Sequence, residues 1–336
     1  MTRNRQSLLA LISGVLVPTY AAQAQTAPST ILQIDIANEV QYYEDTTNLS
    51  SLATVPGVTT ALTALNFRKW IQIGDIVAVN GQPAKGTLTV NARQITEAPA
   101  PNPGQAISDT TRNNIQDMAF EILTSDGSPI GTIIAVGVGN GSAPPGAPLA
   151  ITQGNNTIAG GTGAFLGARG LVGQAVTAQT IAVRSASMTE DPSNRITNGG
   201  GRIFFVVQLL PMTRPDIQST PTGPALYHAD FSPVSAAKPA KAGEVLIVKA
   251  TGLGPTVPGL DPGQPFPLDA VQTVNSPVAL SVNGQSAQVV NRIGCPGQVD
   301  TYRVDFRVPD GIAAGIASIQ LSAAWIAGPP VNIAVQ

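Results

Sequence analysis

Residues 301–308 read Thr-Tyr-Arg-Val-Asp-Phe-Arg-Val, with an apolar side chain at every second position. Tyr302, Val304, Phe306 and Val308 fall on one side, and Arg303, Asp305 and Arg307 on the other. A period of two is the mark of a strand with one face buried and one in water. The pattern spreads outward from there. Val278, Leu280 and Val282 lead to Asn283-Gly284, and Ala287 and Val289 continue beyond it; Asn-Gly between alternating runs predicts a tight hairpin. Val331, Ile333 and Val335 form a last strand. Upstream, Ile71 to Val79 runs into Asn80-Gly81 and Thr87 to Val90 returns. Phe120 and Ile122 lead to Asp126-Gly127, followed by Gly131 to Val138. Arg202 to Leu210 is almost continuously apolar, which predicts a strand buried on both faces. Helical periodicity is nearly absent, with one short helix expected over Thr59 to Asn66. The fold class is all-β.

Composition narrows the function. The 336 residues hold 34 Gly, 28 Pro, one His and one Cys, with 11% charged and 43% hydrophobic residues. That hydrophobic fraction supports a sizeable core. A formal charge of −2 offers no basic face for counterion release, so no nucleic-acid partner is expected. Arg3 and Arg5 precede the apolar run Leu8 to Val17, Pro18 and Ala22-Gln23-Ala24, which reads as a secretory signal over residues 1–24. Its removal takes two Arg and no acid, moving the formal charge from −2 to −4. No other stretch is apolar for long enough to form a membrane span. The expected location is secreted or extracytoplasmic, in the periplasm or at the cell surface.

Pro211 to Pro224 carries four prolines and no alternation, so it reads as a linker. The expected organisation is a β unit over 28–212, a linker over 213–225 and a second β unit over 226–336.

Gly160, Gly161, Gly163, Gly167 and Gly170 form the densest glycine cluster. A dinucleotide fingerprint would need a small residue where Leu166 stands and a helix afterwards, yet the following residues are β-formers. The glycines therefore read as a structural turn and bulge where backbones approach closely. The run Gly-Gly-Thr-Gly-Ala-Phe-Leu-Gly-Ala-Arg-Gly resembles the glycine-rich strand of dirigent proteins and allene oxide cyclases. That resemblance implies a small closed eight-stranded barrel that binds a small apolar molecule and steers its stereochemistry. It assigns no catalytic residue in this chain. In the second unit Ala242-Gly243-Glu244-Val245, Gly252-Leu253-Gly254-Pro255, Val282-Asn283-Gly284-Gln285 and Val304 to Gly311 occur in order. They resemble the C-terminal immunoglobulin-like domain, related to the IPT/TIG group, of secreted soil-bacterial proteins. This implies a β-sandwich acting as a surface, spacer or partner-binding module.

Catalytic vocabulary is thin. His228 has no Gly-x-Ser-x-Gly elbow to serve, and a zinc site would lack further His or Cys ligands. No metal and no cofactor is assigned, although oxygen ligands for calcium remain conceivable. Cys295 has no partner in the chain, so it reads as a small buried hydrophobe, an intermolecular bridge or a free thiol. The carboxylate pairs Glu44-Asp45 and Glu190-Asp191 are isolated. Tyr42, Tyr43 and Trp70 are the candidate ligand-binding residues: Trp70, beside Arg68 and Lys69, either stacks on a ligand or packs in the barrel. The expectation is a non-catalytic extracellular binding or surface-associated protein whose partner is a small molecule or a surface component. The alternative is the stereochemistry-steering barrel.

Overall fold

The computed structural model describes residues 29–44, 68–96, 112–139, 155–261 and 263–336. The secretory-signal reading, the helix expected over Thr59 to Asn66 and Asp45 fall outside the described residues.

The first unit is a closed antiparallel barrel. Its walls are β1 (Thr30–Tyr43), β2 (Arg68–Val79), β4 (Lys85–Thr96), β5 (Arg112–Leu123), β6 (Pro129–Gly139), β7 (Asn155–Gly161), β8 (Arg169–Ala175) and β10 (Gly201–Leu210). Each pairs with the next, and β10 and β2 both pair with β1, which closes the ring at eight strands. Two-residue β3 (Gln82–Pro83) extends the Asn80-Gly81 turn, and β9 (Arg184–Ser187) runs parallel to the end of β1. The Asn80-Gly81 turn behaves as read, with both residues at positive φ.

Alternation fills the inside. Leu32, Ile34 and Ile36 of β1 meet Leu88, Phe120, Ile133, Phe205 and Val207 in one buried cluster. Phe120 and Phe205 pack edge to face at 5.1 Å. Along β10, Ile203, Phe205, Val207 and Leu209 are buried while Phe204 and Val206 are only half-buried. The expectation of burial on both faces is therefore corrected: the outer face of a barrel strand meets solvent, and Phe204 is partly shielded by the Arg202 guanidinium at 5.3 Å.

The second unit holds short strands β11 (Asp216–Ile217), β12 (Ser219–Thr220), β13 (Gly223–Pro224) and β14 (Leu226–Tyr227), then β15 (Val245–Thr251), β16 (Thr256–Val257) and β17 (Thr273–Val274). It continues with β18 (Val278–Val282), β19 (Gln285–Gly294), β20 (Tyr302–Arg307), β21 (Gly315–Ala323), β22 (Ile326–Ala327) and β23 (Val331–Val335). Seven of these run in the order β11-β15-β20-β19-β18-β21-β22, a nearly closed sheet around Leu246, Val248, Val304, Phe306, Ile319 and Leu321, while β12 and β13 pair only with each other. Of the polar face read on β20, Asp305 is buried and ion-paired to Arg303 at 2.8 Å.

The Pro-rich stretch read as a linker is built into this sheet. Asp216 and Ile217 pair with Thr251 and Ala250, and Ile217 and Ala225 are buried. Prolines leave enough backbone donors and acceptors between them for short ladders, which counting apolar residues does not reveal.

The two units meet at one end of the barrel. The hairpin between β21 and β22 carries Ala324 and Trp325, both at positive φ, an arrangement that costs of order 1 kcal/mol per non-glycine residue. Ala324 and Ile326 are buried in the barrel's own hydrophobic cluster, and Trp325 packs against it. The Trp325 indole donates to Gln82 Oε1 at 3.3 Å and the Asn275 amide to the Pro129 carbonyl at 2.9 Å. The hairpin is a plug. Replacing Ile326 by Ala is therefore expected to cost about 2–4 kcal/mol. Because that side chain completes the barrel, native-state hydrogen exchange should show lost protection in β5 amides as well as in β21. Unchanged β5 protection would mean the plug contributes nothing to the barrel.

Candidate functional site

The end of the barrel away from the plug has a different interior. Up to Ile36 the inward side chains of β1 are the even ones. Between Ala37 and Val40 the strand takes three steps while β2 takes two, from Asp75 to Ile73. One extra residue in a strand is a β-bulge, and it reverses the alternation beyond it. Asn38 sits in the bulge at φ 52. As a result Glu39, which strict alternation would turn to solvent, points into the barrel and is fully buried.

The surroundings hold this bulge in place. The Asn38 side-chain amide donates to Asp75 Oδ2 at 2.9 Å. Arg195, on the four-residue helix Asn194–Thr197, donates to the Asn38 carbonyl at 2.8 Å and to Asp75 Oδ1 at 2.6 Å. Gly200 packs so closely that a Cβ there would lie 2.4 Å from the Asn38 carbonyl carbon and 2.7 Å from Glu39 N. A strained residue persists when its neighbours over-determine it, and such places cluster at functional sites.

Inside, the Gln72 amide donates to Glu39 Oε1. Glu39 Oε2 has no hydrogen-bond partner among the described residues, and neither has the indole nitrogen of Trp70. Burial pushes the Glu39 carboxyl up to about 7, against the opposing effect of the Gln72 hydrogen bond. Opposite this wall, Gln116 donates to Asn156 Oδ1 at 3.1 Å, both side chains buried. Trp70, Ala92, Gln116, Gly137 and Asn156 are successive ladder partners, one row running across β2, β4, β5, β6 and β7. The other charged groups close to Glu39 face outward: Asp75 with Arg195, and Arg184 with Glu190 at 2.7 Å. The barrel thus has an apolar, plugged half and a polar half containing one buried acid with no counter-charge beside it.

Of the residues read as ligand candidates, Trp70 lies in this polar half and is buried. Tyr42 is half-buried on the outer face, paired with Ile71 and Ala186. Tyr43 lies opposite Trp70 in the ladder, and its side chain is outside the described residues. Glu39, Gln72, Gln116 and Asn156 were not singled out by sequence reasoning. The available signal was Asn38 interrupting the even-numbered apolar series Ile34, Ile36 and Val40, since Asn tolerates positive φ better than most residues.

The glycine cluster lies at the plugged end. It forms the end of β7, a 3-10 turn over Gly163–Phe165 and the start of β8. Gly163, Gly167 and Gly170 have positive φ, while Gly160 and Gly161 do not. A Cβ on Gly161 would lie 2.4 Å from the Phe165 carbonyl oxygen, whereas at Gly160 there is room. Arg169 donates to the carbonyls of Ala159 at 2.8 Å and Ala168 at 2.9 Å, with no acidic partner among the described residues. His228 is buried between Glu244 Oε1 at 2.6 Å and the Lys238 carbonyl at 3.1 Å, far along the chain from the barrel site. Cys295 is buried and unbridged. Among the described residues no group of three or more His, Cys, Asp or Glu is placed to hold a metal, and no helix is long and apolar enough to cross a membrane. No family model, curated protein or solved structure matches the chain.

Proposed function

We propose that the chain is an extracytoplasmic, non-catalytic binding protein that seats a small molecule in the polar half of the barrel. The observation that supports this reading is the pair of buried atoms without partners, Glu39 Oε2 and Trp70 Nε1, on neighbouring strands of one interior. An unpaired buried polar atom costs about 1–3 kcal/mol, and a ligand group that bonds it recovers that cost. Trp70 adds a flat apolar surface. In this reading the second sheet is the mount: it plugs the base, and its resemblance to immunoglobulin-like modules fits a surface-associated role. The resemblance of the first unit to dirigent and cyclase barrels fits a partly apolar ligand.

A second reading keeps the same seat and adds turnover. It is favoured by Glu39, because an acid titrating near 7 can give and take a proton at neutral pH.

A fragment library of neutral, oxygen-bearing apolar molecules tests both. The chain has two tryptophans, so their indole N–H resonances report opposite ends of the barrel. Binders should move the Trp70 signal, and Glu39→Leu should weaken them at least tenfold while the Trp325 signal stays in place. A library that leaves Trp70 unmoved sinks the binding reading. Conversion of a bound fragment by the wild type, and not by Glu39→Gln, would select turnover.

A further inference from the structure

Beyond the barrel seat, we propose that the cleft between the barrel base and the second sheet binds a small dipolar molecule, an amino acid or dipeptide, by its two opposite charges. The cleft is about 600 Å³, within the range of small-ligand sites. One wall is the β5–β6 turn, including Asp126 and Ile130, with Gln82; the other carries Asn275, Arg292 and Trp325. The Trp325–Gln82 and Asn275–Pro129 hydrogen bonds join the walls, so the cleft is formed before any ligand arrives.

The charges are what select the ligand. Arg292 uses Nε to bond the Val274 carbonyl at 3.1 Å, which fixes the guanidinium plane and leaves both terminal nitrogens without a partner among the described residues. A guanidinium held in this way is a ready fork for a carboxylate. On the facing wall the Asp126 Oδ1 atom accepts from the Thr124 hydroxyl and from the Ser128 amide at 3.0 Å. Those bonds, with a further one from the Ser128 hydroxyl, hold its carboxyl below the usual carboxylate range, and no cation pairs with it among the described residues. Arg292 and Asp126 line one cleft yet form no ion pair with each other. A molecule with a carboxylate at one end and an ammonium at the other satisfies both. A dianion or a dication would meet one like charge. The indole of Trp325 and the side chains of Ile130 and Val274 supply the apolar surface for its body.

The test uses glycyl-phenylalanine as the zwitterion, N-acetyl-glycyl-phenylalanine as the anion and glycyl-phenylalanine amide as the cation, titrated into the full chain. The Trp325 indole resonance should shift and saturate with the zwitterion, and about tenfold more weakly with either single-charge analogue. Arg292→Gln should remove the advantage conferred by the carboxylate, and Asp126→Asn that conferred by the ammonium. Both side chains lie at the cleft surface, and an unchanged circular dichroism spectrum confirms that the variants fold. The Trp70 resonance should stay still throughout, which separates this cleft from the barrel seat. The proposal is overturned if no peptide moves Trp325 at millimolar concentration, if the three bind alike, or if Arg292→Gln binds the zwitterion as well as the wild type.

Discussion

Gly163→Val is expected to cost the barrel about 3–6 kcal/mol, summing backbone strain and overpacking. Gly163 has φ 59, a conformation that a β-branched residue adopts poorly. Space is also lacking, because a Cβ there would sit 2.4 Å from the Ile130 carbonyl oxygen and 2.9 Å from the Gly131 Cα. Both contacts are backbone of the neighbouring strand, so no side chain can swing aside. Chemical denaturation should show the loss, and the barrel strands should unfold first in hydrogen exchange. Arg169→Ala is the control in the same turn. Its bond to the Ala159 carbonyl lies at the surface, where water can replace it, and only the Ala168 carbonyl is buried, so its loss should be about 1–2 kcal/mol. If Gly163→Val and Arg169→Ala cost the same, the glycine is not there for its backbone.

Glu39→Gln should raise stability at pH 8 and flatten the dependence of stability on pH. The sign follows from linkage. The folded carboxyl titrates near 7 and the ordinary one near 4.5, so between these values the folded state binds more protons than the unfolded. Stability is therefore full below about 4.5, falls as pH rises to about 7, and stays at the lower level above. The difference amounts to about 3 kcal/mol from that gap. Glutamine keeps the shape and the bond with Gln72 and has no charge to bury. Urea midpoints of wild type and variant at pH 4.5 and pH 8 decide the matter: the variant should gain only at the higher pH. An equal difference at both pH values would mean that Glu39 is not held in a dry site.

Much of the fold was legible because it rests on local signals. The alternation in β20, the Asn-Gly turns at 80–81 and 283–284 and the apolar run of β10 each specify a strand or hairpin by themselves. The glycine cluster was readable as a turn for the same reason. The candidate site was not, and the cause is physical. A bulge adds one residue to one strand, and only the partner's register shows which way the next side chain turns. Glu39 therefore looks like an outward acid in sequence and is an inward one in the barrel. Gln72, Gln116 and Asn156 stand on strands whose neighbours are fixed only by barrel closure. Trp70 was readable as a candidate by its chemistry, but its burial inside the same barrel as a buried acid was not. The Pro-rich stretch misled in the opposite direction, since its pairing with β15 depends on backbone groups that no side-chain pattern advertises.

The plug sets a schedule for the molecule. Ile326 completes a core whose other members begin at Leu32, and Trp325 bonds Gln82 across 243 positions of chain. A ribosome making this protein, or a pore passing it amino end first, releases the barrel strands long before the hairpin that stops their open base. Contacts so distant in sequence form late and slowly. Until they do, apolar side chains at the base of the barrel are uncovered and attractive to other chains. A truncated product ending before residue 324 should for that reason be the form that aggregates or is degraded in the cell. Completion of the chain then acts as a checkpoint on the first half, enforced by packing.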